Sequence, residues 1–173
     1  MRKIALMCLV LLVACGTAVA KEKPEVLSFT TGEEQDWKLG DSSQTNEYQI
    51  LEFIREGDDI NNWKELLTMQ NFTRSRSMHS AEEMLNLLKE KREKVCPGAT
   101  QWNVIDRQAD SVLYEWHMQG CLGQPEQSEV AKIIFGKHNI FFLHYAAKVH
   151  ELPPDMRDKW LKRFSAATIK SGH

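Results

Sequence analysis

The sequence predicts an α+β domain in which two main helices pack on an antiparallel sheet of about six strands. Three observations carry this reading. A capped amphipathic run begins at Ser80 and stops at Cys96-Pro97-Gly98. Four strand-like runs follow it, joined by connections too short for a parallel crossover. A second amphipathic run, opened by Pro153-Pro154-Asp155, comes last.

In chain order, Arg2 and Lys3 precede an apolar run from Ile4 to Val13. This is the pattern of an export signal, too short to span a bilayer as a permanent helix. Leu12-Val13-Ala14-Cys15 resembles the bacterial lipoprotein box, in which the cysteine thiol takes a diacylglyceryl group and becomes the new N-terminus. The chain then divides into a signal at 1–14, a tether at 15–25 and one globular domain at 26–173. Ala18-Val19-Ala20 before Lys21 offers a competing site for ordinary signal peptidase, which would leave a soluble exported protein. Gly16, rather than aspartate, after the cysteine points by analogy to the outer membrane.

A first strand is expected at 26–30, then polar turn material at 32–36. Residues 37–46, with Gly40 and Ser42-Ser43, read as an irregular strand or loop. Residues 48–55 suit a pleated surface, and Gly57-Asp58-Asp59 ends that strand. Ile60, Trp63 and Leu67 recur at helical spacing behind capping Asp and Asn residues, predicting one or two helical turns that run into a strand at about 67–72. The arginines of 73–77 lie on an exposed loop. Ser80-Ala81-Glu82-Glu83 is a capping box, in which the serine oxygen accepts from a first-turn amide and the glutamate reaches back. Met84, Leu87, Leu88 and Val95 follow along one helical face, with Glu90 and Lys94 paired on the other. Strands are then expected at 101–107, 111–119, 129–136 and 139–149, turning around Gln108-Ala109-Asp110 and Gly136-Lys137-His138. The final helix should run to about residue 169, burying Met156, Trp160, Phe164 and Ala167.

With 42% hydrophobic and 27% charged residues the chain is of an ordinary globular type. The signal holds two of the 22 Lys and Arg and none of the 24 Asp and Glu, so the processed domain carries a net charge of −4. A mildly acidic domain without an aromatic-spaced basic stripe gives no reason to expect nucleic-acid binding. Processing leaves two cysteines in the domain, Cys96 and Cys121. In an oxidising compartment they form one disulfide, and closing a loop of this length stabilises by roughly 3 kcal/mol in the chain-entropy view.

The search for chemistry is mostly negative. There is no Gly-rich phosphate loop, no Gly-x-Ser-x-Gly elbow and no His-Glu-x-x-His helix, and no cofactor is read. Glu115 and His117 share one face of their strand, because side chains alternate. His144 lies inside the last strand. If those strands are close, one acid and two imidazoles meet as a polar cluster suited to metal or proton transfer, and otherwise each is a hydrogen-bonded sheet residue. The five tryptophans, spread over the predicted elements, read as core anchors rather than a sugar-binding platform.

Gly57 followed by Asn62-Trp63, then Thr68 and Phe72, with a later Tyr145 strand, resembles bacterial secreted proteins of the PsbP-like fold. The resemblance implies an α/β/α sandwich and a protein-binding rather than catalytic role, with no catalytic set to carry over. The leading expectation is therefore a non-enzymatic cell-envelope lipoprotein, held to the membrane through Cys15, that binds another envelope protein. The alternatives are a metal-dependent or hydrolytic enzyme using Glu115, His117 and His144, and an immunity-type lipoprotein that blocks a toxin.

Overall fold

The computed structural model describes residues 24–32 and 36–171. The export signal, Cys15 and both cleavage sites lie outside the described residues. Among these residues nine strands and two helices follow one another: β1 (Glu25–Ser28), β2 (Trp37–Gln44), β3 (Tyr48–Arg55), β4 (Glu65–Thr73), α1 (Ala81–Val95), β5 (Thr100–Arg107), β6 (Ser111–Met118), β7 (Gln127–Phe135), β8 (Asn139–Ala147), α2 (Pro154–Ala166) and β9 (Thr168–Ser171). A short 3-10 turn at Ile60–Asn62 stands where one or two helical turns are expected, capped by the Asp59 side chain.

The main sheet is antiparallel with strand order β2-β3-β4-β8-β7-β6-β5, and β1 pairs β9 in a separate ribbon. The sheet thus has seven strands rather than about six. Two elements depart from the sequence reading, one in the main sheet and one in the ribbon. Residues 37–44 form a true edge strand, its register shifted between Leu39 and Asp41, where Gly40 lets Ile54 and Ile60 pack against the bare backbone. The final helix ends at Ala166, and the β-branched Thr168 and Ile169 continue as β9, paired with β1 from the far end of the sequence. Neither pairing is visible in local spacing.

Alternation of side chains divides the core into two layers, one on each face of the sheet. On one face α1 sets Ala81 and Leu85 against Val112, Tyr114, Trp116, Ile133 and Phe142. On the other, α2 and the ribbon cover Leu67, Val130, Leu143 and Tyr145 with Trp160, Phe164, Leu27 and Ile169. The expected three-layer α/β/α arrangement is what the chain adopts. Trp37, Trp116 and Trp160 are buried anchors as expected, whereas Trp63 and Trp102 are half-buried. The capping box forms with one shift: Ser80 Oγ accepts from the Glu83 amide, and Glu83 accepts from His79 rather than from Ser80.

Glu25, expected at the end of a tether, is part of the fold. Its carboxylate accepts from the backbone amides of Lys137, His138 and Asn139 at 2.5, 3.0 and 3.0 Å and so caps the β7–β8 turn. Gly136 leaves room for it, since a Cβ there would stand 2.5 Å from Glu25 Oε2. Burial raises the carboxyl's pKa, but the amide donors of His138, Lys137 and Asn139 outweigh it and hold the group below its ordinary value. A depressed folded-state pKa contributes stability above the ordinary carboxylate range and loses it as pH falls through the lowered value. Glu25→Gln should therefore lower the melting temperature at pH 7, and the gap to wild type should close as the medium is acidified below that range. A gap that stays constant across an acid melting series would contradict this.

Candidate functional site

The antiparallel pairing of β6 and β7 runs from a tight turn in which Cys121 and Gln124 exchange both backbone hydrogen bonds, at 3.1 and 2.8 Å. The two residues between them, Leu122 and Gly123, have φ of +50° and +79°, the requirement of a type I′ hairpin turn. The turn fixes the register: His117 stands opposite Ser128, Trp116 opposite Glu129, and Glu115 opposite Val130. Cys121 is bonded to Cys96 at the end of α1, with Cα atoms 6.1 Å apart, so the expected disulfide pins the hairpin to that helix.

Glu115, His117 and His144 do not form one site. Glu115 and His117 do share a face, the one covered by α2. His144 pairs in register with Ala131, a residue of the α1-side core, and so projects from the opposite face. Each then has its own partners. Glu115 takes a bidentate ion pair from Arg157 of α2, at 2.6 and 2.9 Å, and an amide hydrogen bond from Asn103 at 2.9 Å. Burial raises the Glu115 pKa, but Arg157 and Asn103 more than offset this, and the carboxylate titrates below its ordinary value. It is a structural link between β6 and α2.

His144 Nδ1 lies 2.7 Å from Glu129 Oε1, which also accepts from the indole N–H of Trp116 at 2.9 Å. Glu129 is only 7% exposed, and the Arg92 guanidinium sits 4.0 Å over the Trp116 ring. Burying this carboxylate is tolerated because both partners donate to it.

His117 gains two neighbours that spacing did not bring together with it, His150 just beyond β8 and Glu126 just before β7. Glu126 Oε1 is 2.7 Å from His150 Nδ1 and 3.6 Å from His117 Nε2. The His117 and His150 rings meet edge to face with centroids 4.6 Å apart. One donor atom from each of the three residues falls within 4.8 Å of the others, a separation at which they can hold one metal ion. Ser128 holds the arrangement together: its hydroxyl donates to the His150 carbonyl at 2.8 Å and lies 3.1 Å from His117 Nδ1. The group borders a cleft of about 400 Å³ lined also by Gln101, Asn103, Glu115 and Arg157. Gly123 was a partial signal: with the turn placed at Leu122-Gly123, Ser128 stands opposite His117 and Glu126 lies two residues further along the same strand side.

Residues 23–120 match a protein-family model. The chain belongs to that family. No curated protein matches the sequence. Among solved structures, the solution structure of cyanobacterial PsbP (CyanoP) from Synechocystis sp. PCC 6803 is similar, at 12% identity over 92% of this chain and 99% of that one, with a TM-score of 0.45.

Removal of the Glu129 carboxylate is the sharpest test of the α1-side network. Glu129→Ala strands the buried indole N–H and the His144 imidazole together, and each buried donor left unmet costs about 1–3 kcal/mol. Denaturant unfolding should show a loss of at least that size, with His144→Ala costing less. Equal losses in the two variants would mean that Trp116 gains nothing from the carboxylate.

Proposed function

We propose that this chain is an exported, lipid-anchored envelope protein that works as a non-enzymatic docking module for another envelope protein. Lipidation at Cys15 would hold it to the membrane, and the Cys96–Cys121 disulfide suits an oxidising compartment. The observation that carries the reading is the hairpin turn at Leu122. A left-handed first turn position favours Asn, Asp or Gly, and a leucine there is sterically costly. The side chain gains nothing inward for that cost, since Leu122 is 79% exposed. Val95, also exposed at 60%, adjoins the other bridged cysteine. The disulfide thus presents two aliphatic side chains on a rigid corner, at a position where local backbone preference alone would choose a polar residue. A local rule broken without folding gain is a mark of function.

The reading separates cleanly from folding. Leu122→Asn suits the turn better and should leave melting temperature unchanged or raised. A photocrosslinker placed beside Leu122, at Gln124, in intact cells should capture one discrete partner, and Leu122→Asn should remove that adduct. The same probe at Ser42, on the remote β2 edge, should not capture it. Identical adducts from both positions, or an adduct indifferent to Leu122→Asn, would refute the docking role.

A further inference from the structure

We infer that His117, Glu126 and His150 bind a single divalent cation of the zinc type, a site separate from the docking corner. The argument rests on the proton inventory around His117. The Ser128 hydroxyl has one proton, and it is donated to the His150 carbonyl. Ser128 Oγ therefore accepts from His117, which puts the imidazole proton on Nδ1. The lone pair of the neutral ring is then on Nε2, and that atom is buried without a hydrogen-bond partner. It faces the Glu126 carboxylate 3.6 Å away. A lone pair and a carboxylate facing each other in a partly buried place repel, unless positive charge lies between them. A bound metal ion supplies that charge where the ring is neutral, as a proton on Nε2 does where the ring is protonated.

The donor set matches the inference. Two imidazoles and a carboxylate are ligands for borderline divalent ions, zinc above all, and not for magnesium or calcium, which take oxygen. Ligands about 2.0–2.2 Å from one tetrahedral ion stand roughly 3.3–3.5 Å apart, close to the separation of His117 Nε2 and Glu126 Oε1. His150 lies nearer to Glu126, at 2.7 Å, but its side chain is 70% exposed and free to open that distance by a rotamer adjustment. Ser128 is the outer partner that fixes the His117 tautomer, the role a second-shell group plays around metal-bound histidine. Three protein ligands leave one position of a four-coordinate ion for water or a small ligand entering from the cleft.

The test uses untagged processed protein and Zn²⁺ itself, followed by calorimetry and by thermal melting. Wild type should take up one Zn²⁺ at this site and melt higher with it, because an ion that binds only the folded state stabilises it. Glu126→Gln and His150→Ala alter exposed or half-exposed side chains and should fold normally. Each should weaken binding by more than the roughly tenfold that loss of an outer-shell partner costs, and Ser128→Ala by about that much. His144→Ala, on the other face of the sheet, should bind as wild type does, and Mg²⁺ should produce no shift. No stoichiometric uptake by wild type would overturn the inference. So would uptake that survives both Glu126→Gln and His150→Ala, since the ion would then be held elsewhere.

Discussion

The stack of Trp160 on Tyr145 is the contact on which the rest of the architecture hangs. The two rings lie 4.4 Å apart at 14°, and both residues are fully buried. Trp37, at the start of the edge strand β2, meets both rings edge to face. The Tyr145 hydroxyl donates to Glu65 on β4, Glu65 takes two hydrogen bonds from Arg55 on β3, and Arg55 covers Trp37 at 4.2 Å. One helix and four strands are thereby closed into a ring of contacts around one indole. Aromatic pairs contribute about 0.5–1.5 kcal/mol each beyond area burial, so the cluster outweighs any single surface ion pair. Lys132 completes the seating of α2: its buried ammonium donates to the Ser165 and Ala167 carbonyls, where the end of a helix leaves acceptors without partners.

Much of this was legible because it is local. The Ser80 cap and the hairpins of β5–β8 are each written in residues a few positions apart, whereas the α1 stripe was only half read: Met84 and Leu88 pack inward beside Ala81 and Leu85, but Leu87 and Val95 stay exposed. The β3 strand, 48–55, was legible in the same way. What escaped was set by pairing at a distance. No pattern within Thr168–Ser171 announces that it will meet Glu25–Ser28, and its proximity to a helical run made it look like more helix. The β2 edge strand was disguised by Gly40 and by serines that tolerate a bulge. Glu25 reads as a charged tether residue until the β7–β8 turn folds up against it.

The polar residues show the same division. Sequence alternation correctly put Glu115 and His117 on a common face, but it cannot say which face a residue on another strand will share. His144 fell on the far side by one step of register, and its imidazole went to Glu129 instead. The His117 neighbours came from two irregular segments, one before β7 and one after β8, which no periodicity describes. Two chemically distinct surroundings thus occupy opposite faces of the same three strands. One is a network around the buried Glu129, the other a more exposed group around Glu126.

Both outer strands of the main sheet are interrupted, β2 between Leu39 and Asp41 and β5 between Val104 and Asp106. A continuous straight border would offer its unpaired amides and carbonyls as a template for a neighbouring chain. Each kink throws the spacing of those groups out of step, so a second copy cannot zip on along the full length. The two interruptions thus oppose growth of the sheet from either border.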